Sequence, residues 1–277
     1  MRSALYRVPA TVALVACLLS ASAAAKPVGA HGQLLRLVRG PRGTLNAGQS
    51  NNWFGYNEGA LEAGAGLFHS ITGNWTVPRA RQHLKGQAED SSDWIGIGGG
   101  CVNSGCGASD ATLIQTGTEQ DVSAAGAPSY SAWWEVIPGP SVSIAMKIRP
   151  GDRMHASIVE ILPASEVWKI TLSDLTTGKS HSMRVPYSST QDSAEWIEET
   201  PLLLGANAGL ASLPRLSSPS FDRATVNGGP AHLRAAQAID LINSSGNVIG
   251  APSAPDGDRD GFNACTWTRI CAAPRRS

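Results

Sequence analysis

From Asn51 onward, apolar and polar positions tend to alternate. Val142, Ile144, Met146 and Ile148 are separated by Ser143, Ala145 and Lys147. Trp168, Ile170 and Leu172 repeat the pattern, as do Met183 and Val185. Alternation of this kind marks strands with one face toward a core. Turn sequences punctuate the runs: Pro138-Gly139-Pro140, Pro150-Gly151-Asp152, Thr177-Gly178-Lys179 and Asn227-Gly228-Gly229. No stretch keeps a helical period over three turns. Many short strands joined by regular turns predict an all-β sandwich or barrel. There is no internal repeat and no linker, so residues 51–277 read as one domain.

Composition changes this picture mainly at the start of the chain. Arg2 and Arg7 precede an apolar run from Ala10 to Leu19, and Ser20 to Ala25 supplies small residues for cleavage. Residues 1–25 therefore read as a signal peptide, too short to span a bilayer. The alternative is a lipoprotein box, Leu14-Val15-Ala16-Cys17, but the apolar run continues past Cys17. Residues 26–50 carry Lys26, Arg36, Arg39 and Arg42 with no acid, whereas all 22 acidic residues follow Ser50. A basic leader before an acidic body fits a propeptide held partly by charge, or a disordered Gly-rich tail. The acidic body excludes phosphate-backbone binding and so a nucleic-acid partner. The expected product is a secreted monomer, extracellular or periplasmic, free of the membrane once the signal is removed.

Without the signal, four cysteines remain: Cys101, Cys106, Cys265 and Cys271. Four allow three pairings, and close spacing favours Cys101–Cys106 with Cys265–Cys271. Zinc would require two-residue spacings or nearby histidines, and neither is present. Asp256-Gly257-Asp258-Arg259-Asp260-Gly261 copies the opening of a calcium loop, but its twelfth position is Trp267. It reads better as a turn into a last strand, Phe262 to Trp267. No metal or cofactor is expected. Asn74-Trp75-Thr76 and Asn243-Ser244-Ser245 are glycosylation sequons, relevant only in a eukaryotic secretory host.

Three segments carry candidate chemistry. In Leu113-Ile114-Gln115-Thr116-Gly117-Thr118-Glu119, a strand puts Gln115, Gly117 and Glu119 on one face, with Gly117 leaving room for another backbone. In Ala132-Trp133-Trp134-Glu135, Trp133 and Glu135 share a face. In Ala194-Glu195-Trp196-Ile197-Glu198-Glu199, Glu195 and Glu199 face away from Trp196 and Glu198.

These segments, with others in order, resemble the glutamic peptidases (eqolisins), acid proteases of fungi with relatives in bacteria. The ordered set begins Asn52-Trp53-x-Gly55-Tyr56, Gly73-Asn74-Trp75-Thr76-Val77-Pro78 and Trp94-Ile95-Gly96-Ile97. It continues through Leu113-Ile114-Gln115-Thr116-Gly117, Tyr130-Ser131-Ala132-Trp133-Trp134-Glu135 and Gly151-Asp152. Leu175-Thr176-Thr177-Gly178 and Ala194-Glu195-Trp196-Ile197-x-Glu199 complete it. The resemblance implies a sandwich of two antiparallel sheets with concanavalin A-like, jelly-roll architecture. It also implies an acid endopeptidase acting on polypeptide, with Gln115 and Glu195 as the catalytic pair and no cofactor.

Trp53 and Trp94 are candidates to line the cleft, with core packing the alternative. Glu135 is a candidate support for Gln115, and Glu119 a weaker one. A glutamate of ordinary pKa is ionised above about 4, which suits a base in acid. Two departures bear on that pH: Gly98 stands where the family usually has aspartate, and Glu119 where it often does. The disulfide loop from Gly98 to Asp110 is expected to reshape one end of the groove. Two rival readings remain. A glycoside hydrolase would use Glu135 and Glu195 about 5–5.5 Å apart. A non-catalytic domain would bind peptide or sugar in the same groove.

Overall fold

The computed structural model describes residues 48–62, 66–103, 106, 108–203, 208–268 and 270–274. The signal segment, Cys17 and the basic leader up to residue 47 lie outside the described residues. Gly48–Ser50, the end of that leader, pairs in parallel with Ile239–Leu241.

The architecture is two sheets joined at one edge, antiparallel except for that short pair. The first runs in the order Val142–Ile144, Pro128–Val136, Leu113–Val122, Glu89–Gly98, Ser193–Glu199, Trp53–Gly59, Ala238–Ile242 and Val248–Pro252. The second runs Lys179–Pro186, Val167–Asp174, Arg153–Leu162, Ser70–Thr76 and Ser220–Val226. Phe262–Thr266 joins them: Phe262 and Asn263 pair with the second sheet, and Ala264 to Thr266 pair with the first. This is the all-β sandwich that the alternation predicted.

The core lies between the sheets. Phe54, Tyr56, Ile95, Ile97, Ile114 and Trp196 of the first meet Ile71, Trp75, Met154, Ile158, Trp168 and Ile170 of the second. Two indoles bridge the layers, because a buried N–H needs a partner. Trp196 Nε1 donates to Thr72 O at 2.8 Å, and Trp75 Nε1 donates to Thr118 Oγ1 at 2.8 Å. Gly73 makes room for this: a Cβ there would lie 2.8 Å from Trp196 Cδ1.

The sheets differ in their outer faces. Arg153–Leu162 and Val167–Asp174 alternate between buried and more exposed positions, as a half-solvated sheet should. In Trp53–Gly59 and Ser193–Glu199 every residue is buried, so both faces are covered. Clean alternation therefore located strands of the second sheet but could not reveal the central strands of the first.

One alternating run ends early as strand. Pairing stops at Ile144, where Met146 N–H donates to Ile144 O at 2.7 Å and turns the backbone away from the ladder. Both disulfides form as spacing favoured: Cys101–Cys106 and Cys265–Cys271, with Cα separations of 4.9 and 5.6 Å. The aspartate-rich stretch turns into Phe262–Thr266, with Asp256 Oδ1 accepting the Asp260 and Gly261 N–H groups. Asp222 joins Asp256 and Asp260 there. Burial first, then neighbouring aspartates, pushes Asp260 up to about 6.

Candidate active site

The register of the first sheet brings distant sequence positions into one row. Asn57 lies opposite Glu195, Glu195 opposite Gly96, Gly96 opposite Gln115, and Gln115 opposite Glu135. Directly paired residues share a face of the sheet, so this row points outward, away from the second sheet. Glu195 and Gln115 are separated by one strand, about 10 Å between backbones. The position between them is a glycine. Gly96 thus puts no side chain between the carboxyl and the amide, and Leu113 Cδ1 and Trp94 Cζ3 pack over it, each 2.9 Å from where a Cβ would lie.

The amide is held in one orientation. Gln115 Nε2 donates to Glu135 Oε2 at 2.9 Å, while Gln115 Oε1 is buried without a partner. An amide has a second N–H and a carbonyl oxygen to offer, so both functions remain for another partner. Burial pushes Glu135 up to about 8, with the Gln115 hydrogen bond opposing the rise. Below that pH Glu135 carries a proton and can still accept the Gln115 N–H through its other oxygen.

Glu195 is fully buried, and neither carboxyl oxygen forms a well-aligned hydrogen bond. Burial raises its pKa well above the usual carboxylate range. The Ser193 hydroxyl and Gly100 N–H beside it oppose that rise, whereas the Asp110 charge adds to it. The expectation of an ordinary carboxylate is therefore corrected: Glu195 holds its proton to higher pH, because low dielectric disfavours the charge. Gly100 is pressed against it, since a Cβ there would lie 2.4 Å from Glu195 Oε1. Asn57 clamps the next residue, accepting Cys101 N–H at 2.6 Å and donating to Cys101 O at 2.8 Å. The loop beginning at Gly98 thus closes over the Glu195 end of the row. Gly98 itself has φ of +93°, and a Cβ would meet Thr112 O at 2.1 Å, so the turn excludes an aspartate at this position.

The tryptophans pack beside the row. Trp53 and Trp94 meet edge to face at 4.8 Å, and both are buried. Trp94 Nε1 donates to Glu199 Oε2 at 2.9 Å, and Trp133 Nε1 donates to Ser92 Oγ at 3.1 Å. Gly117 does not provide room for a ligand backbone, as its sequence position suggested. A Cβ there would lie 2.3 Å from Asp93 O and 2.6 Å from Trp94 Cβ, so the strand carrying Trp94 already occupies that space. Glu119 lies two residues beyond Gly117 on the same face and accepts from Ser131 Oγ at 2.9 Å.

Glu135 and Glu195 are three strands apart, about 14 Å between backbones, with Gln115 between them. Gln115, bonded to Glu135, thus stands between the two glutamates, which does not favour the carboxylate-pair reading. Asn57, Gly96, Gly100 and Asp110 were not singled out in the sequence. The only available signals were Asn57 following the Trp53-x-Gly-Tyr motif and Gly96 inside Trp-Ile-Gly-Ile. A cavity of about 620 Å³ lies elsewhere, near Asn51, Thr200 and Trp267.

The sequence profile of the peptidase A4 family matches residues 51–259, a span containing the whole row. The chain belongs to the peptidase A4 family. The family is that of the glutamic peptidases, so the protein is a glutamic-type peptidase, and its substrate is polypeptide. No curated protein matches the chain at the sequence level. Solved structures share the fold. Scytalido-glutamic peptidase with a transition-state analog inhibitor aligns at 20% identity and TM-score 0.60, covering 78% of this chain and 98% of the other. SCP-B, an eqolisin bound to the tripeptide Ala-Ile-His, aligns at 19% and 0.56, covering 78% and 98%. Aspergilloglutamic peptidase from Aspergillus niger aligns at 23% and 0.50, covering 64% and 99%.

Proposed function

We propose that this peptidase is a secreted, monomeric endopeptidase that cleaves extended polypeptides in weakly acidic surroundings, using Gln115 and Glu195 as its catalytic pair. The observation that carries the assignment is the Glu195–Gly96–Gln115 row: proton acceptor, glycine and amide on adjacent strands and one face. A scissile carbonyl seated over Gly96 places its carbon between the two groups. Ionised Glu195 takes a proton from a water that attacks the carbon. The free N–H of Gln115 hydrogen-bonds the developing oxyanion, and its Oε1 accepts from the attacking water. As the C–N bond breaks, Glu195 returns the proton to the leaving nitrogen, and neither metal nor covalent intermediate is needed. One oxyanion donor of this kind contributes about 3–4 kcal/mol.

The raised Glu195 pKa sets the pH behaviour. The base is ionised only above its elevated value, so turnover climbs at higher pH than an ordinary carboxylate of about 4 would allow. The two disulfides fit an oxidising, extracytoplasmic setting. Among the described residues no helix is long and apolar enough to cross a membrane.

The test is release of peptides from a denatured protein across pH 3–8 in the presence of a chelator. Gln115→Ala is expected to lose about 10²–10³ in kcat. Glu195→Gln should abolish turnover while melting as a folded protein. Full proteolysis by either variant sinks the pair. A wild-type protein that binds peptide without cleaving it would favour the non-catalytic reading.

A further inference from the structure

We propose that Asp110 is a positioning residue for this pair, fixing the approach of the Gln115 and Glu195 strands and holding a negative charge beside Glu195. The proposal rests on the Gln115–Glu195 reading above. Asp110 is buried and lies on neither strand. Its N–H donates to Gly100 O at 2.8 Å, and Gly100 is the backbone pressed against Glu195. Its Oδ1 accepts Thr112 N–H at 2.8 Å and Thr112 Oγ1 at 2.9 Å, immediately before Leu113 opens the Gln115 strand. The same oxygen accepts the Thr190 hydroxyl. Its Oδ2 accepts Asp192 N–H at 3.0 Å, immediately before Ser193 opens the Glu195 strand.

One carboxylate thus gathers the entries to both strands and the loop that closes on Glu195. Four donors converge on its two oxygens and tie the segments together. A displacement of about 1 Å in a reacting group costs about 10²-fold in rate, so the link between the strand entries bears on turnover. The charge has its own effect. Glu195 shares its outward face with Glu199 two residues along, and Glu135 lies beyond Gln115. Asp192 and Tyr187 sit on the segment clamped by Asp110 and Thr112, and Asn57 and Gly100 are neutral. Of these groups, Asp110 supplies the negative charge that opposes ionisation of Glu195.

The two effects separate experimentally. Asp110→Asn keeps an acceptor oxygen and removes the charge, whereas Thr190→Val loosens the clamp and keeps the charge. Profiles of kcat and kcat/KM against pH would be measured on one fluorogenic peptide, with folding checked by thermal melting and Glu195→Gln run alongside. Asp110→Asn is expected to lower kcat about tenfold with little change in KM, and to move the acid limb to lower pH. Thr190→Val should lower kcat less and leave the limb where it was. Should Asp110→Asn fail to fold, Asp110→Ser reads the same limb. An acid limb that stays at its wild-type pH in the neutral variant overturns the proposal. Unchanged turnover in Glu195→Gln instead overturns the pair itself.

Discussion

The two faces of one sheet carry nearly the same chemistry and put it to different use. On the outward face the central strands present Glu195, Gly96, Gln115 and Glu135 in a row. On the inward face the same strands present Glu198, Asp93, Thr118 and Ala132, with Gln120 close by. Both faces thus offer a glutamate and a glutamine, fully buried. The decisive difference is the residue between. Inside, Asp93 fills the position opposite Glu198 and contacts it directly, and Gln120 Nε2 reaches Glu198 Oε1 at 3.3 Å. Burial, with the facing carboxyl adding to it, holds Asp93 well above the usual range, so the pair keeps a proton in place of a partner. Outside, Gly96 puts no carboxyl opposite Glu195, whose neighbours are the Ser193 hydroxyl and the Gly100 N–H, and Gln115 Oε1 has no hydrogen-bond partner. Inside, two carboxyls face each other; outside, a glycine keeps the glutamate and the amide apart, as the proposed catalytic pair requires.

Filling the outward gap should therefore have the largest effect. Gly96→Val puts a branched side chain between Gln115 and Glu195. Its Cβ would sit 2.9 Å from Leu113 Cδ1 and Trp94 Cζ3, so the Leu113 side chain and the Trp94 ring must shift to admit it. The expected result is a loss of kcat of about a hundredfold or more in a protein that still melts cooperatively. Normal turnover in a folded Gly96→Val would break the distinction between the faces.

How much of this could be read from the sequence follows from the same geometry. The ordered motifs singled out Gln115 and Glu195 as the proposed pair, and alternation exposed the half-solvated second sheet. Gly96 was visible only as part of Trp94-Ile95-Gly96-Ile97, because strand register is a three-dimensional fact that local sequence does not encode. For the same reason the space beside Gly117 looked free in sequence, whereas the strand carrying Trp94 fills it. The raised pKa of Glu195 was not legible either. It comes from burial and from Asp110, which lies 85 positions earlier in the chain. The short cysteine spacings did suffice, since only local loops were involved.

The inward pair predicts a pH-dependent stability rather than a rate. Asp93 and Glu198 have folded pKa values above their unfolded ones, so the folded state binds more protons. Their stabilising contribution is complete below about pH 4 and is lost as pH rises through the elevated folded values. Glu58, pushed by burial up to about 7, and Glu135, up to about 8, add the same sign. The melting temperature should fall between pH 4 and pH 8. In Asp93→Asn/Glu198→Gln that fall should be shallower, at a cost of about 1–3 kcal/mol in acid, with kcat within threefold of wild type. A stability profile as steep as the wild type's would show that the interior pair does not hold the proton.

The two disulfides provide a gentler version of the comparison. Each closes a short loop and contributes about 2 kcal/mol on the chain-entropy estimate. Only Cys101–Cys106 belongs to the loop that Asn57 clamps over Glu195. Replacing that pair with serine should lower kcat several-fold as well as the melting temperature. Replacing Cys265 and Cys271 should lower the melting temperature alone. Equal effects on kcat would mean that the loop does not hold Glu195.

Glu119 should give the smallest effect, and it tests how far the outward row extends. It shares a face with Gln115 but lies four residues along the strand, beyond Gly117 and the Trp94 packing against it. Its Oε2 accepts from Ser131 Oγ on the neighbouring strand at 2.9 Å. Replacing it with glutamine keeps an acceptor for that hydroxyl and removes one partly screened charge. The expected change in kcat is below about threefold, with the acid limb unmoved, as for an acid outside the reacting geometry. A tenfold loss, or a limb displaced as far as in Asp110→Asn, would extend the working row past Trp94.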